Sequence, residues 1–157
     1  MIRRAQEKDI EGISRLLYRV NQVHADGRPD LFKSGGIKYT SDALRRILAD
    51  DERPVYVYVA DDEKETVCGY AFCIIRYTEE TTSIVGHKEM FIDDICVDSE
   101  HRREGIGRKL YEYVTKVAKE EKCYNVTLHV WECNPGAVEF YRQLGMKTLN
   151  YTMEQRL

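Results

Sequence analysis

The stretch Asp94-Ile-Cys-Val-Asp-Ser-Glu-His-Arg-Arg-Glu-Gly-Ile-Gly-Arg-Lys-Leu110 decides how this chain folds. It opens as an apolar strand, passes through a charged turn, and becomes a helix with Gly105 and Gly107 in its first turn. Beyond the turn Ile106, Leu110, Tyr113, Val114 and Val117 recur at helical spacing on one face. Two glycines weaken a helix start, so their presence implies that backbone must lie close to something. The first-turn N–H groups of a helix have no internal partner and carry the positive end of its dipole. With no Cβ atoms in the way, an anionic phosphate can sit directly on them. Strand, glycine turn and helix together read as a phosphate cradle.

Two common cradles are excluded by the residues that follow. A P-loop needs a hydroxyl residue after its lysine, and Arg108-Lys109-Leu110 supplies none. A dinucleotide turn needs glycine or alanine three positions after its second glycine, and Leu110 is too large. What remains is the pattern Arg102-x-x-Gly105-x-Gly107.

At 157 residues the chain has the length of one domain, 1–157, with a sizeable core. Its 43% hydrophobic and 32% charged residues are those of an ordinary globular protein. No apolar run reaches membrane-span length and Met1-Ile-Arg-Arg-Ala5 lacks a signal peptide's apolar segment, so the expected location is cytoplasmic, away from membranes. The five cysteines (Cys68, Cys73, Cys96, Cys123, Cys133) form no C-x-x-C pair and read as reduced thiols, neither metal ligands nor a disulfide framework. A net charge of −3 without a basic run argues against a nucleic-acid partner.

In chain order, Ile2 to Ala5 reads as a strand, and Asp9 as the cap of a helix with Ile10, Ile13, Leu16, Leu17, Val20 and Val23 on one face. Ala25 to Gly36 shows no periodicity and reads as a functional loop. Ser41 is the expected cap of a second helix. Three strands follow, Val55 to Ala60, Val67 to Tyr77 and Lys88 to Val97. After the glycine-turn helix come a strand from Asn125 to Trp131 and a helix opened by Asn134-Pro135 and closed by Gly145. Met146 to Leu157 reads as two short strands. The order β-α-α-β-β-β-α-β-α-β-β belongs to an α/β (α+β) chain with a mixed sheet.

The turn Arg102-x-x-Gly105-x-Gly107 resembles the pyrophosphate signature, Arg/Gln-x-x-Gly-x-Gly/Ala, of the GNAT N-acetyltransferases. Asn134-Pro-Gly-Ala-Val-Glu-Phe-Tyr141-Arg-Gln-Leu-Gly-Met146 resembles that family's Asn-x-x-Ala-x-x-Phe-Tyr-x-x-x-Gly-Phe helix, with Met146 in place of the usual Phe. The two motifs cover roughly residues 90 to 150; the N-terminal third, which shapes the acceptor pocket in that family, matches in layout only. The resemblance implies the GNAT fold, with its sheet splayed between the fourth and fifth strands, and acetyl-CoA as cofactor. It implies that the backbone N–H groups of Arg103, Glu104, Gly105, Ile106, Gly107 and Arg108 hold the pyrophosphate. Main-chain groups of Ile95, Cys96 and Val97 would bind the acetyl carbonyl, and Asn134 the pantetheine arm. The side chains of Arg102 and Arg103 read equally well as solvated charge. Tyr141 resembles the family's general acid for the departing thiolate, against its plainer reading as one of eleven tyrosines packed on a helix face.

Attack needs a neutral amine, and a primary amine near pKa 10.4 is neutral in only about one molecule in two thousand at pH 7. His129 is the expected base: it lies five residues before Asn134, shares a strand face with Thr127 and Trp131, and resembles in position a glutamate of the branch that modifies protein N-termini. In the histone-modifying branch the base position matches Phe91, which cannot serve. Asp93 and Asp94 are the neighbouring candidates, acting through water or as partners for substrate charge. Cys96 and Cys133 lack a nearby histidine that would make either an acyl-carrying nucleophile. The loop with His24, Asp26, Arg28 and Asp30 is expected to border the acceptor site by family layout. The resulting expectation is direct acetyl transfer to a primary amine of a small molecule or protein, in a family where homodimers are common. The rival is a non-catalytic acyl-CoA sensor, against which Tyr141 and a titratable residue on the fifth strand both argue.

Overall fold

The computed structural model describes residues 1–157. Its elements are β1 (Ile2–Arg4), α1 (Ile10–Gly27), α2 (Ser41–Leu48), β2 (Val55–Val59), β3 (Val67–Thr78), β4 (His87–Val97), α3 (Ile106–Glu120), β5 (Asn125–Leu128) and α4 (Pro135–Gln143). The strands form one sheet in the order β1-β2-β3-β4-β5. The first four pair antiparallel, and β5 runs parallel to β4.

Alternation along the strands sends side chains to two cores. Val55, Val57, Tyr70 and Phe72 meet Ile13, Leu16, Leu17, Leu44 and Ile47 of α1 and α2. Cys68, Ala71, Met90 and Ile92 meet Ile106, Leu110, Val114 and Ala118 of α3 on the opposite face. Burying such side chains drives the sandwiching of the sheet. α3 approaches β3 closely because Gly69 has no side chain: a Cβ there would lie 2.9 Å from the Cys96 carbonyl oxygen and 3.2 Å from both Ile106 and Leu110 side-chain atoms.

The sheet opens where the resemblance implied. β4 pairs with β5 only from Glu89↔Asn125 to Ile92↔Leu128, yet β4 continues to Val97. From Asp93 onward β4 has β3 beside it and no strand on its other edge. Because of that divergence the fifth strand ends at Leu128 rather than Trp131: residues beyond it have no ladder partner.

Three further expectations are corrected. α1 runs to Gly27, so His24 and Asp26 stand on a helix rather than in a loop; buried Ala25 and the Gln22–Asp26 hydrogen bond of 2.8 Å carry the helix through. The caps also differ. Thr40, not Ser41, accepts from Ala43 N–H, while Asp9 turns back to accept from Gln6 N–H at 2.7 Å and from Arg3. Finally, residues 146–157 form no strands. Leu149, Tyr151 and Met153 alternate as a strand would, but all are exposed, and the segment is tied by Arg28–Glu154 and Arg156–Asp30 ion pairs to the start of the acceptor loop instead of to the sheet.

Candidate active site

The charged turn after β4 is built around Asp98, which is buried although ionisable. Burial opposes its charge, but Arg15 and Arg19 of α1 donate to its two oxygens and Glu100 N–H adds a third bond. Together they hold the carboxyl below its ordinary range. Asp98 thereby anchors the turn to α1. Past it the chain enters left-handed backbone twice, at Arg103 (φ 68°) and Gly105 (φ 75°). Glycine takes that conformation readily; Arg103 does so at a cost on the order of 1 kcal/mol, a strain often found at ligand-binding turns.

This turn leaves a run of donors free. The backbone N–H groups of Arg102 through Arg108 donate to no acceptor in the chain; the ladder of α3 starts with Lys109 N–H to Gly105 O at 3.0 Å. Neither Arg102 nor Arg103 is in an ion pair, whereas Arg108 lies 3.9 Å from Glu112 and His101 3.3 Å from Glu104. Unpaired N–H groups at a helix N-terminus beside two free arginines fit a pyrophosphate. The two glycines serve different ends. A Cβ at Gly105 would meet nothing within 4 Å, so its role is conformational; one at Gly107 would lie 3.2 Å from Phe140 Cζ. Gly107 therefore lets α4 close against the head of α3.

α4 is held in register at both ends. Asn134 Oδ1 accepts from Ala137 N–H at 3.2 Å, and Gly145 (φ 89°) ends the helix with Gly145 N–H to Arg142 O and Met146 N–H to Tyr141 O. No residue of α4 is fully buried. Phe140 meets Gly107, and Tyr141 comes within the electrostatic reach of Asp94, Cys96 and Tyr111. Burial first, then Asp94, pushes the Tyr141 hydroxyl above its usual range, so it stays protonated. Burial also pushes the Cys96 thiol up to about 12, which keeps it a thiol rather than a nucleophilic thiolate.

Beyond Cys96, toward the acceptor loop, a β-bulge reshapes β4. Phe72 opposes Asp94 and Cys73 opposes Ile92, leaving Asp93 as the extra residue. In a regular strand neighbours point to opposite faces; the bulge turns Asp93 and Asp94 to the same side. Both reach Lys38, whose Nζ lies 3.1 Å from Asp93 Oδ2 and 3.8 Å from Asp94 Oδ2. Tyr39 donates to Asp93 at 3.1 Å and buried Tyr70 to Asp94 at 2.9 Å. Burial raises the Asp94 carboxyl, opposed by Lys38 and the Tyr70 bond. His24 on α1 feels both Asp94 and Lys38, and burial lowers it so that it is neutral at pH 7. Its ring lies 5.0 Å from Phe32, which meets Trp131 edge-on at 5.3 Å, so the loop after α1 reaches from that helix to the segment after β5.

This architecture is matched by known proteins. The profile of the acetyltransferase (GNAT) family covers residues 19–146. The chain belongs to that family. It is 28% identical over 157 aligned residues to thialysine N-epsilon-acetyltransferase of Bos taurus, spanning 95% of this chain and 85% of the bovine protein. A 26% match to the Mus musculus protein of the same name spans 94% and 84%. Among solved structures, a tetramutant of the BH1408 protein from Bacillus halodurans superposes with a TM-score of 0.94 at 29% identity, over 100% of this chain and 99% of that one. An aminoglycoside N-acetyltransferase solved with CoA shares the fold, with a TM-score of 0.72 at 18% identity over 100% and 98% of the chains. The protein is an N-acetyltransferase that takes its acetyl group from acetyl-CoA.

In this acetyltransferase the residues expected to hold the cofactor stand at the head of α3 (Arg103 to Arg108), on the open edge of β4 (Ile95 to Val97), at the cap of α4 (Asn134) and on α4 (Tyr141). Asp93 and Asp94 lie beside them. His129 stands just past β5, exposed, its ring 5.1 Å from Phe91. Of the acceptor-loop group, Asp26 is engaged by Gln22, and Arg28 holds exposed Asp30 down to about 2. Lys38, Tyr39 and Tyr70 were missed from the sequence. None lies in a motif, and their convergence depends on the bulge.

Proposed function

We propose that the acetyl group passes directly to a primary, cationic amine, without an acyl-enzyme. Acetyl-CoA supplies the thioester; the chain's own residues bind, orient and move protons. The free N–H groups of Arg102 to Arg108 carry this reading, because they are an anion site next to an open strand edge that leads to two carboxylates. That edge, Ile95 to Val97, offers main-chain donors for the acetyl carbonyl. Asp93 and Asp94 hold the acceptor ammonium, and Asp94 with His24 takes its proton toward solvent. His129, exposed just past β5 with its ring against Phe91, is the other candidate acceptor for that proton. Tyr141, kept protonated by burial, donates to the leaving sulfur.

The name of the thialysine acetyltransferases supports a small lysine-like amine as acceptor, and the paired carboxylates suit its charge. No helix is long and apolar enough to cross a membrane, which agrees with a cytoplasmic enzyme whose residues 1–157 act as one domain. A homodimer accords with the exposed alternation Leu149, Tyr151, Met153 and the unpaired outer edge of β5. The test is thiol release from acetyl-CoA against polyamines, amino acids including lysine and thialysine, aminoglycosides and short peptides. Release with one class supports the reading and identifies the acceptor. Acetyl-CoA binding with no release for any amine would favour the sensor instead.

A further inference from the structure

We propose that Lys38 is an internal acceptor: its ε-amino group occupies the position of the amine to be acetylated, and takes the acetyl group itself when no external amine displaces it. The inference rests on the function proposed above. The bulge sets two carboxylates side by side, an arrangement that a cation between them stabilises in its charged form. Each carboxylate already has a fixed tyrosine partner, Tyr39 on Asp93 and Tyr70 on Asp94. The one cation bridging both is Lys38, at 3.1 and 3.8 Å. It comes from the irregular segment between the acceptor loop and α2 rather than from a rigid element, and its side chain is 36% exposed. Because the Lys38 side chain reaches the carboxylates from a partly exposed, irregular segment, a substrate ammonium can take its place between them.

The place of this ammonium matters more than its pairing. Asp94 directly precedes Ile95, and both Cys96 and Tyr141 feel its charge. The Lys38 nitrogen thus lies 3.8 Å from the carboxylate of the residue that directly precedes the backbone proposed to hold the acetyl carbonyl. In the transfer one proton leaves the ammonium for Asp94 or solvent. Nζ then forms an amide bond with the acyl carbon as the carbon–sulfur bond breaks. CoA leaves as the thiol, the second nitrogen proton being balanced by the one Tyr141 delivers to sulfur. The product is Nε-acetyl-Lys38, without the charge that holds it to Asp93 and Asp94.

The full chain is incubated with acetyl-CoA and no added amine, then followed by intact mass and peptide mapping. One acetyl group on Lys38, ahead of every other lysine, slowed by added cadaverine and absent after heat unfolding, is the expected result. Acetylation spread evenly over surface lysines overturns the proposal. So does an unmodified Lys38 in a preparation that releases thiol with external amines, a result that leaves the proposed function standing; no thiol release with any amine removes both. Independently, Lys38→Met should lower KM for cationic amines several-fold, since the self-occupied fraction of sites becomes available. A raised KM would make Lys38 a mere support for the carboxylates and overturn its role as occupant.

Discussion

Replacing Gly69 by alanine tests how closely the cradle helix is coupled to the sheet. The new Cβ would lie 2.9 Å from Cys96 O and 3.2 Å from Ile106 Cγ2 and Leu110 Cδ1. The carbonyl belongs to β4, fixed by the β3–β4 ladder through Tyr70↔Cys96 and Gly69↔Val97. The contact with that carbonyl therefore stays strained, and the helix must give at Ile106 and Leu110. Overpacking of this kind costs about 1–3 kcal/mol. Loss of glycine's freedom in the unfolded chain offsets about 0.4–1 kcal/mol. The net loss is roughly 1–2 kcal/mol, a fall in Tm of roughly 3–6 °C for a chain of this size. Gly105→Ala is the comparison. Its Cβ meets nothing, and its cost of about 1 kcal/mol is purely that of a left-handed alanine. Thermal and urea unfolding by circular dichroism, with acetyl-CoA affinity by calorimetry, separate the two mechanisms. Gly69→Ala should lose more stability and also weaken acetyl-CoA binding, because Ile106 and Leu110 carry the head of α3. A Gly69→Ala variant as stable as the parent would refute the close approach.

Other perturbations address the site. Tyr141→Phe should leave acetyl-CoA affinity nearly unchanged and lower turnover about a hundredfold, as loss of a proton donor does; unchanged kcat across the pH range would end its role. Acetyl-CoA at about one hundred times its Kd should stabilise the fold by about 2.7 kcal/mol, raising Tm by roughly 5–10 °C in a thermal shift assay. Asp98→Asn should cost about 1–2 kcal/mol at neutral pH, discounted for the partial exposure of Arg15 and Arg19. Because folding lowers the Asp98 pKa, its contribution is complete above the unfolded value near 3.9 and disappears as pH falls through the lower folded value. The stability gap between parent and variant should thus narrow below about pH 4; a gap unchanged down to acid unfolding would contradict the ion-pair account. His24→Ala and His129→Ala, compared by pH–rate profile, assign the proton acceptor: the true one removes the limb due to an imidazole, the other leaves it.

Much of this site was legible because it is made of local backbone. The turn Arg102 to Arg108 needs a left-handed residue at Gly105 and small volume at Gly107, and both needs show directly as residue type. The α4 boundaries were legible for the same reason, since Asn134, Pro135 and Gly145 satisfy or break hydrogen bonds within four residues of themselves. The reading of Gly107 as room for phosphate was incomplete: the structure sets Phe140 against it, a neighbour 33 positions along the chain. His24 reads as loop because nothing in the sequence near Ala25 to Gly27 signals that the helix continues to Gly27. The tail's alternation was real, but a strand exists only with a partner, and residues 146–157 have none in this chain.

By itself the sequence determined most of the helices and strands between Ile2 and Gly145 and the glycine turn whose N–H groups are left free. Those properties follow from periodicity, caps and backbone freedom, all acting over a few residues. Only the tertiary structure decided what gathers around the paired carboxylates proposed to hold the acceptor. A single bulged residue turns Asp93 and Asp94 to one side, and the fold then brings Lys38, Tyr39, Tyr70 and His24 to them from three separate places in the chain. A bulge is a mismatch between two strands, so neither strand's sequence contains it; the electrostatics around Asp93 and Asp94 arise from that mismatch.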